Sequence, residues 1–176
     1  MKNNIVEGWI SFEEMNLVSK YMTTDTGSIL EVGSANGRLI SYLYEKHPDW
    51  EYVAVDPWEQ EQVRLQVDWD ADYFAPGNLK EVITMEMFKK HCPYAHAYNV
   101  YFEDFKNDIK FDIISMGLVG KKVNWELVYQ KAWAMLKPGG YIIGRNITHK
   151  KYGESIRHAI SSKCIIETCK GSFVIG

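Results

Sequence analysis

Cysteine is scarce in this chain: Cys92, Cys164 and Cys169 are the only three in 176 residues. An odd number without a CxxC pair excludes the disulfide framework of a small secreted domain and the common zinc spacings, so reduced thiols are expected. Long apolar runs are missing as well. Nowhere does the sequence approach 18 uncharged apolar residues, and no membrane-spanning helix is expected. Met1 to Asn4, followed by Glu7, lacks an apolar stretch of signal-peptide length, which reads as cytoplasmic. There is no excess of positive charge: 20 Lys and Arg against 23 Asp and Glu give a net charge of -3. A surface built to neutralise many phosphates is not indicated, so nucleic acid is an unlikely partner. Repeats and low-complexity tracts are also lacking.

What is present suffices for one packed domain. The 46% hydrophobic and 14% aromatic content closes an interior, and 176 residues fit a single core spanning 1–176. Apolar periodicity and breakers predict an alternation of strands and helices. A helix over 11–22 opens with Ser11 and Glu14 in capping-box spacing, inside a helical cap formed by 1–26. A strand over 28–32 ends at Gly33, and a helix over 37–47 is stopped by Pro48. A second strand over 52–55 closes at Asp56-Pro57. The acidic, aromatic segment 57–78 is long for a connection and is expected to be lid-like. Then follow a helix over 79–91, strands over 97–102 and 111–115, a helix over 124–136, and a strand over 141–144 after Pro138-Gly139-Gly140. A helix over 153–162 and a hairpin of 164–168 and 172–175 complete the chain. This pattern predicts an α/β fold: a doubly wound, seven-stranded, mainly parallel sheet with a C-terminal antiparallel hairpin and helices on both faces.

In such sheets, ligands lie beyond the carboxyl ends of the strands, where the strand order reverses. Glu31-Val32-Gly33-Ser34-Ala35-Asn36-Gly37 falls there. Gly33 and Gly37 permit a tight turn and close approach of backbone to ligand, and the following helix start offers free N–H groups. Ala35 and Arg38 stand where a dinucleotide fingerprint has its second and third glycines, which demotes NAD; without Lys-Ser or Lys-Thr after Gly37 there is no P-loop. Asp56 ends the second strand about twenty residues after Gly33, the separation at which a carboxylate meets ribose hydroxyls. An adenosine-containing ligand without a diphosphate is favoured.

Four ordered stretches, Ile29 to Gly37, Val53-Ala54-Val55-Asp56-Pro57-Trp58, Phe111-Asp112-Ile113-Ile114 and Leu136-Lys137-Pro138-Gly139-Gly140, resemble the motifs of class I S-adenosylmethionine-dependent methyltransferases. The opening Glu7-Gly8-Trp9-Ile10-Ser11, with Glu13-Glu14, resembles the small bacterial and phage branch that includes macrocin-type O-methyltransferases. This likeness spans nearly the whole chain and implies the Rossmann-like, seven-stranded fold. It implies that Glu31, Gly33, Ser34, Asn36 and Gly37 hold the methionine end of S-adenosylmethionine, and that Asp56 binds the ribose. Pro57 and Trp58 follow, with Trp58 packing on the adenine. Glu103 or Asp104 would accept from the adenine amino group, Phe105 would be a second stacking surface, and Ser115, Met116 and Gly117 would lie beside the sulfonium and the acceptor.

The sequence departs from that branch where a divalent metal is usually bound. Ile114 to Gly120 contains neither Asp nor His, and Asn146 stands where an Asp is expected, so a carboxylate-bound metal is not expected. His149, with Lys150 and Lys151 beside it, is the candidate base in its place. Asp68, Asp70 and Asp72 do not fit a calcium loop, since Tyr73 occupies its glycine position and Leu79 its terminal acid. His91, Cys92 and His96 match no zinc pattern. Trp125, Trp133, Met135 and Leu136 read as a buried helical stripe. The expected reaction is methyl transfer from S-adenosylmethionine to a small-molecule or saccharide acceptor, O-methylation in particular, leaving S-adenosylhomocysteine. The missing acidic run leaves a second class open, an S-adenosylmethionine-binding protein without transferase activity. No Asn-Pro-Pro-Tyr or Asp-Pro-Pro-Tyr run points to base modification.

Overall fold

The computed structural model describes Val6 and residues 10–58, 83–117, 123–150 and 153–176. Its elements, in chain order, are α1 (Phe12–Lys20), β1 (Ser28–Val32), α2 (Arg38–Lys46), β2 (Glu51–Val55), α3 (Met85–His91), β3 (His96–Tyr98), β4 (Phe111–Met116), α4 (Trp125–Ala134), β5 (Leu136–Gly144), α5 (Gly153–Ala159), β6 (Ile165–Cys169) and β7 (Ser172–Ile175). The strands form one sheet in the order β3-β2-β1-β4-β5-β7-β6. The β1–β2, β2–β3, β1–β4 and β4–β5 pairs are parallel. β7 runs antiparallel between β5 and β6. This is the doubly wound sheet with a terminal hairpin that the alternation predicts.

Strand periodicity divides the core into two layers. From β1, Leu30 and Val32 join Val53, Val55, Ile114, Met116 and Ile142 against Val128, Tyr129 and Ala132 of α4 and Ile156 of α5. Ile29, from the same strand, joins Tyr52, Ala54, Ile113 and Ile143 against Met15, Leu17 and Val18 of α1, Leu39, Ile40 and Leu43 of α2, and Phe88 of α3. Each fully buried Leu, Ile or Phe contributes about 1.5–3 kcal/mol by removal of apolar surface from water. The predicted stripe holds in part: Trp125 and Met135 are buried, while Trp133 is partly exposed and carries the Lys163 ammonium over its ring at 3.6 Å.

Ser11 caps α1 in the expected capping box, its backbone N–H donating to Glu14 Oε2 at 2.9 Å and its Oγ accepting from Glu14 N at 3.3 Å. This helix is tied to the hairpin from both ends. Lys170 bonds Glu13 at 2.7 Å, Ser172 Oγ donates to Glu14 at 2.8 Å, and Lys20 and Tyr21 both donate to Glu167.

Two elements differ from expectation. The third strand stops at Tyr98, and residues 101–105 instead form a turn in which Phe105 N–H reaches the Tyr101 carbonyl at 3.0 Å. The fifth strand begins at Leu136, so Pro138-Gly139-Gly140 lies inside it, as an irregularity opposite Phe111 to Ile113 where Gly139 takes φ +78°. The helix expected over 79–91 is described from Met85, and most of the 57–78 lid lies outside the described residues, as do Lys151 and the stretch 118–122.

Candidate active site

The strand order reverses between β1 and β4, and the loop after β1 fills the resulting crevice. Gly33 N–H continues the ladder to the Val55 carbonyl at 2.8 Å, and the chain then turns away with φ +81° at Gly33, +45° at Ala35 and +80° at Gly37. Ser34 is buried, its Oγ donating back to the Glu31 carbonyl at 3.0 Å, and Gly37 N–H closes the turn on the Ser34 carbonyl at 2.8 Å.

Three side chains brace this loop from outside. Asp56, just past β2, accepts Ala35 N–H on its Oδ2 at 2.9 Å, and its own N–H bonds the Tyr98 carbonyl at 3.2 Å. Trp58, two residues on past Pro57, donates its indole N–H to the Ala35 carbonyl at 2.7 Å. Cys92 directs Sγ at the Gly37 carbonyl at 3.4 Å. Burial pushes the Cys92 thiol up to about 12, so it stays protonated and unreactive near neutral pH. The loop is closely packed on that side: a Cβ on Gly37 would lie 2.5 Å from Cys92 Sγ and 2.9 Å from Phe88. Gly37 thus meets two demands, the left-handed φ and the lack of space.

Glu31 is the one charged side chain among the buried described residues. Strand register places it beside Ala54 and Ser115. Loss of hydration drives its carboxyl pKa up to about 8, against the pull of the Arg145 guanidinium, and the Asp56 charge pushes the same way as burial. Glu31 Oε2 and Asn36 Oδ1 are buried acceptors without a hydrogen-bond partner. Across the crevice, Ser115 and Met116 are buried at the end of β4, and Gly117 N–H bonds the Val32 carbonyl at 2.7 Å.

The remaining predicted residues are arranged differently. Trp58 is only 3% exposed, its ring tilted on Phe88 with centroids 5.0 Å apart, so it is a brace of the loop rather than an open stacking face. Phe105 is likewise buried in the core, edge-on to Tyr98 at 5.0 Å. Tyr98 itself is 39% exposed at the end of β3, a place that the expected strand over 97–102 hid by putting this residue near its start. Glu103 and Asp104 are exposed in the turn after β3, where Lys131 donates to the Glu103 carbonyl at 2.8 Å. Asn146 and His149 follow β5 in a tight turn, with Asn146 at φ +67° and His149 N–H on its carbonyl at 2.9 Å. His149 is half-buried, and its carbonyl accepts Gly153 N–H at 2.8 Å as α5 begins. Arg145, absent from the sequence reading, reaches from the end of β5 to Glu31. Among the described residues, no group of three or more His, Cys, Asp or Glu side chains is placed to hold a metal ion.

The chain matches no family model and no curated protein. Solved structures do match. The ribosomal protein L11 methylase of Lactobacillus delbrueckii subsp. bulgaricus superposes with TM-score 0.61 at 12% identity, over 92% of this chain and 74% of that one. The likeness is one of fold, a Rossmann-like seven-stranded sheet. N-methyltransferase NodS from Bradyrhizobium japonicum WM9, in complex with S-adenosylhomocysteine, gives TM-score 0.57 at 13% identity over 92% of this chain and 83% of that one. The plantazolicin methyltransferase BpumL, in complex with a pentazolic desmethylPZN analog and S-adenosylhomocysteine, gives 0.54 at 16% identity over 90% of this chain and 52% of that one. No helix among the described residues is long and apolar enough to cross a membrane.

Proposed function

We propose that this chain is an S-adenosylmethionine-dependent methyltransferase of a small-molecule or saccharide hydroxyl, working without a carboxylate-bound metal and leaving S-adenosylhomocysteine. The observation that carries the reading is the β1–β4 crevice: a braced loop with left-handed turns, two buried acceptor oxygens, Glu31 Oε2 and Asn36 Oδ1, without protein donors, and Asp56 at the end of the neighbouring strand. Buried acceptors left unmet cost free energy, and a ligand bearing an ammonium at one end and ribose hydroxyls at the other meets them. Matching structures with S-adenosylhomocysteine bound on the same fold support that ligand.

When bound, S-adenosylmethionine supplies a methyl group already activated by a positive sulfur. The protein's part is then to position the acceptor in line, exclude water and remove a proton. In this reading Glu31, Gly33, Ser34, Asn36 and Gly37 bind the methionine end, and Asp56 the ribose. Tyr98 offers the aromatic face near the adenine, with Glu103 or Asp104 toward its amino group, and Ser115, Met116 and Gly117 flank the reacting centre. Holding the two reactants together supplies several kcal/mol of the acceleration. An aliphatic hydroxyl also needs a base, and we assign that task to His149, with Asn146 shaping the turn that carries it.

The test is turnover with methyl-labelled S-adenosylmethionine against a panel of saccharides, phenols, alcohols, amines and peptides, following label transfer and S-adenosylhomocysteine release together. Transfer to a hydroxyl compound supports the full reading. Transfer confined to amines or peptides overturns the acceptor class, and tight cofactor binding without transfer to any panel member makes the chain a binding protein.

A further inference from the structure

Lys131 lies in the last turn of α4. Its ammonium crosses to the chain after β3 and donates to two successive carbonyls, that of Phe102 at 2.6 Å and that of Glu103 at 2.8 Å, with Nζ 5.1 Å from the centre of the Phe102 ring. What it meets there is a single helical turn. Asp104 N–H and Phe105 N–H both bond the Tyr101 carbonyl at 3.0 Å, and Phe105 N–H also reaches the Phe102 carbonyl at 3.2 Å. So short a turn has no following residues to satisfy its last carbonyls, and a lysine at that end supplies the missing donors.

Burial pushes the Lys131 ammonium pKa down, and the nearby charges of Glu103 and Asp104 pull it back up. Yet the ammonium bonds the main chain instead of these acids, and neither carboxylate makes a hydrogen bond or ion pair with a described residue. A lysine that served only to neutralise the two acids would stay hydrated and meet them directly. This one gives up water to fix the backbone, and leaves both carboxylates exposed and free to accept. The turn is also joined to the crevice: Phe105 packs edge-on to Tyr98 at 5.0 Å, and the Tyr98 carbonyl accepts Asp56 N–H at 3.2 Å.

We propose that Lys131 is a positioning residue for base selection: by holding the Phe102 and Glu103 carbonyls, it fixes the turn that presents Glu103 or Asp104 to the amino group of the ligand's purine. This rests on the proposed function and adds to it a residue of another element that itself touches no ligand. Loss of Lys131 then changes which base is accepted, and not only how tightly.

The experiment is calorimetric titration of the whole chain with S-adenosylhomocysteine and its deaminated analogue S-inosylhomocysteine, in which a carbonyl replaces the amino group. It is repeated on Lys131→Met and Lys131→Arg, with thermal unfolding of each variant. The wild type is expected to bind the amino form at least about tenfold more tightly, the effect of one hydrogen bond to a charged acceptor. Lys131→Met is expected to bring the two affinities to within about threefold, and Lys131→Arg, which keeps charge and donors, to retain part of the preference. Should the methionine variant not fold, Lys131→Gln is read in the same way. A lysine with a structural role alone would weaken both ligands alike, so an unchanged ratio in the folded variant overturns the proposal. Equal wild-type affinity for the two ligands overturns it without any variant, and leaves adenosyl-ligand binding standing. If the wild type binds neither, the underlying cofactor reading fails and takes this proposal with it.

Discussion

Asp56 accepts the N–H of Ala35 at 2.9 Å, so the end of β2 holds the loop that leaves β1. A carboxylate accepts several hydrogen bonds at once, so one that holds the loop can also accept from ribose hydroxyls. Asp56→Ala is expected to weaken S-adenosylhomocysteine binding by about 1–3 kcal/mol, through both direct contacts and a loosened loop. Asp56→Asn keeps an oxygen for Ala35 and separates the two effects. If calorimetry shows unchanged affinity in the alanine variant, Asp56 has no part in the ligand site.

Gly37 is closely packed against Cys92 and Phe88. Gly37→Ala places a Cβ 2.5 Å from Cys92 Sγ at φ +80°. Left-handed strain costs about 1–2 kcal/mol and overpacking about 1–3 kcal/mol, so denaturant unfolding is expected to show a loss of roughly 3 kcal/mol. Combined with Cys92→Ala the loss is expected to be less than additive, because the collision is shared; strict additivity would show that the two residues do not press on one another.

Glu31 predicts a pH dependence of known sign. Its folded-state pKa lies at about 8 rather than the ordinary 4.5, chiefly because burial disfavours the charged form. With no ligand ammonium beside Glu31, the folded chain therefore holds a proton that the unfolded chain has released. The associated stability is complete below pH 4.5, falls as the pH rises toward 8, and levels off above it. Glu31→Gln cannot ionise. Its stability relative to wild type is expected to climb across that window by on the order of a few kcal/mol, read from paired unfolding curves. A flat difference would place an ionised carboxylate in the folded crevice.

His149→Ala separates binding from chemistry. Cofactor affinity is expected to persist while turnover on a hydroxyl acceptor drops about 100-fold or more, the usual contribution of a general base. Retained turnover would remove His149 from the mechanism.

Periodic and local features of the fold were readable from sequence. The Ser11 and Glu14 capping box, the short strands around Ile29 and Val53, and the hairpin turning at Lys170-Gly171 all depend on neighbouring residues, and all appear in the structure. The loop from Gly33 to Gly37 was legible for the same reason, since left-handed turns demand particular residue types. Long-range choices were not. Whether Trp58 faces a ligand or donates to the Ala35 carbonyl depends on where Phe88 packs. Arg145 was passed over because nothing in its own neighbourhood reveals that β5 lies beside β4, two strands from Glu31. The third strand was read too long because Phe102 and Phe105 are as apolar as strand residues, yet fill the core from a turn.

The most direct test of the account is a calorimetric titration of the purified chain with S-adenosylmethionine and S-adenosylhomocysteine, with NAD as control and with and without magnesium. Micromolar binding of the first two, indifferent to magnesium, and none of NAD is the expected result. Absence of binding by either adenosyl ligand, or preference for NAD, would contradict it and leave the crevice between β1 and β4 without its proposed occupant.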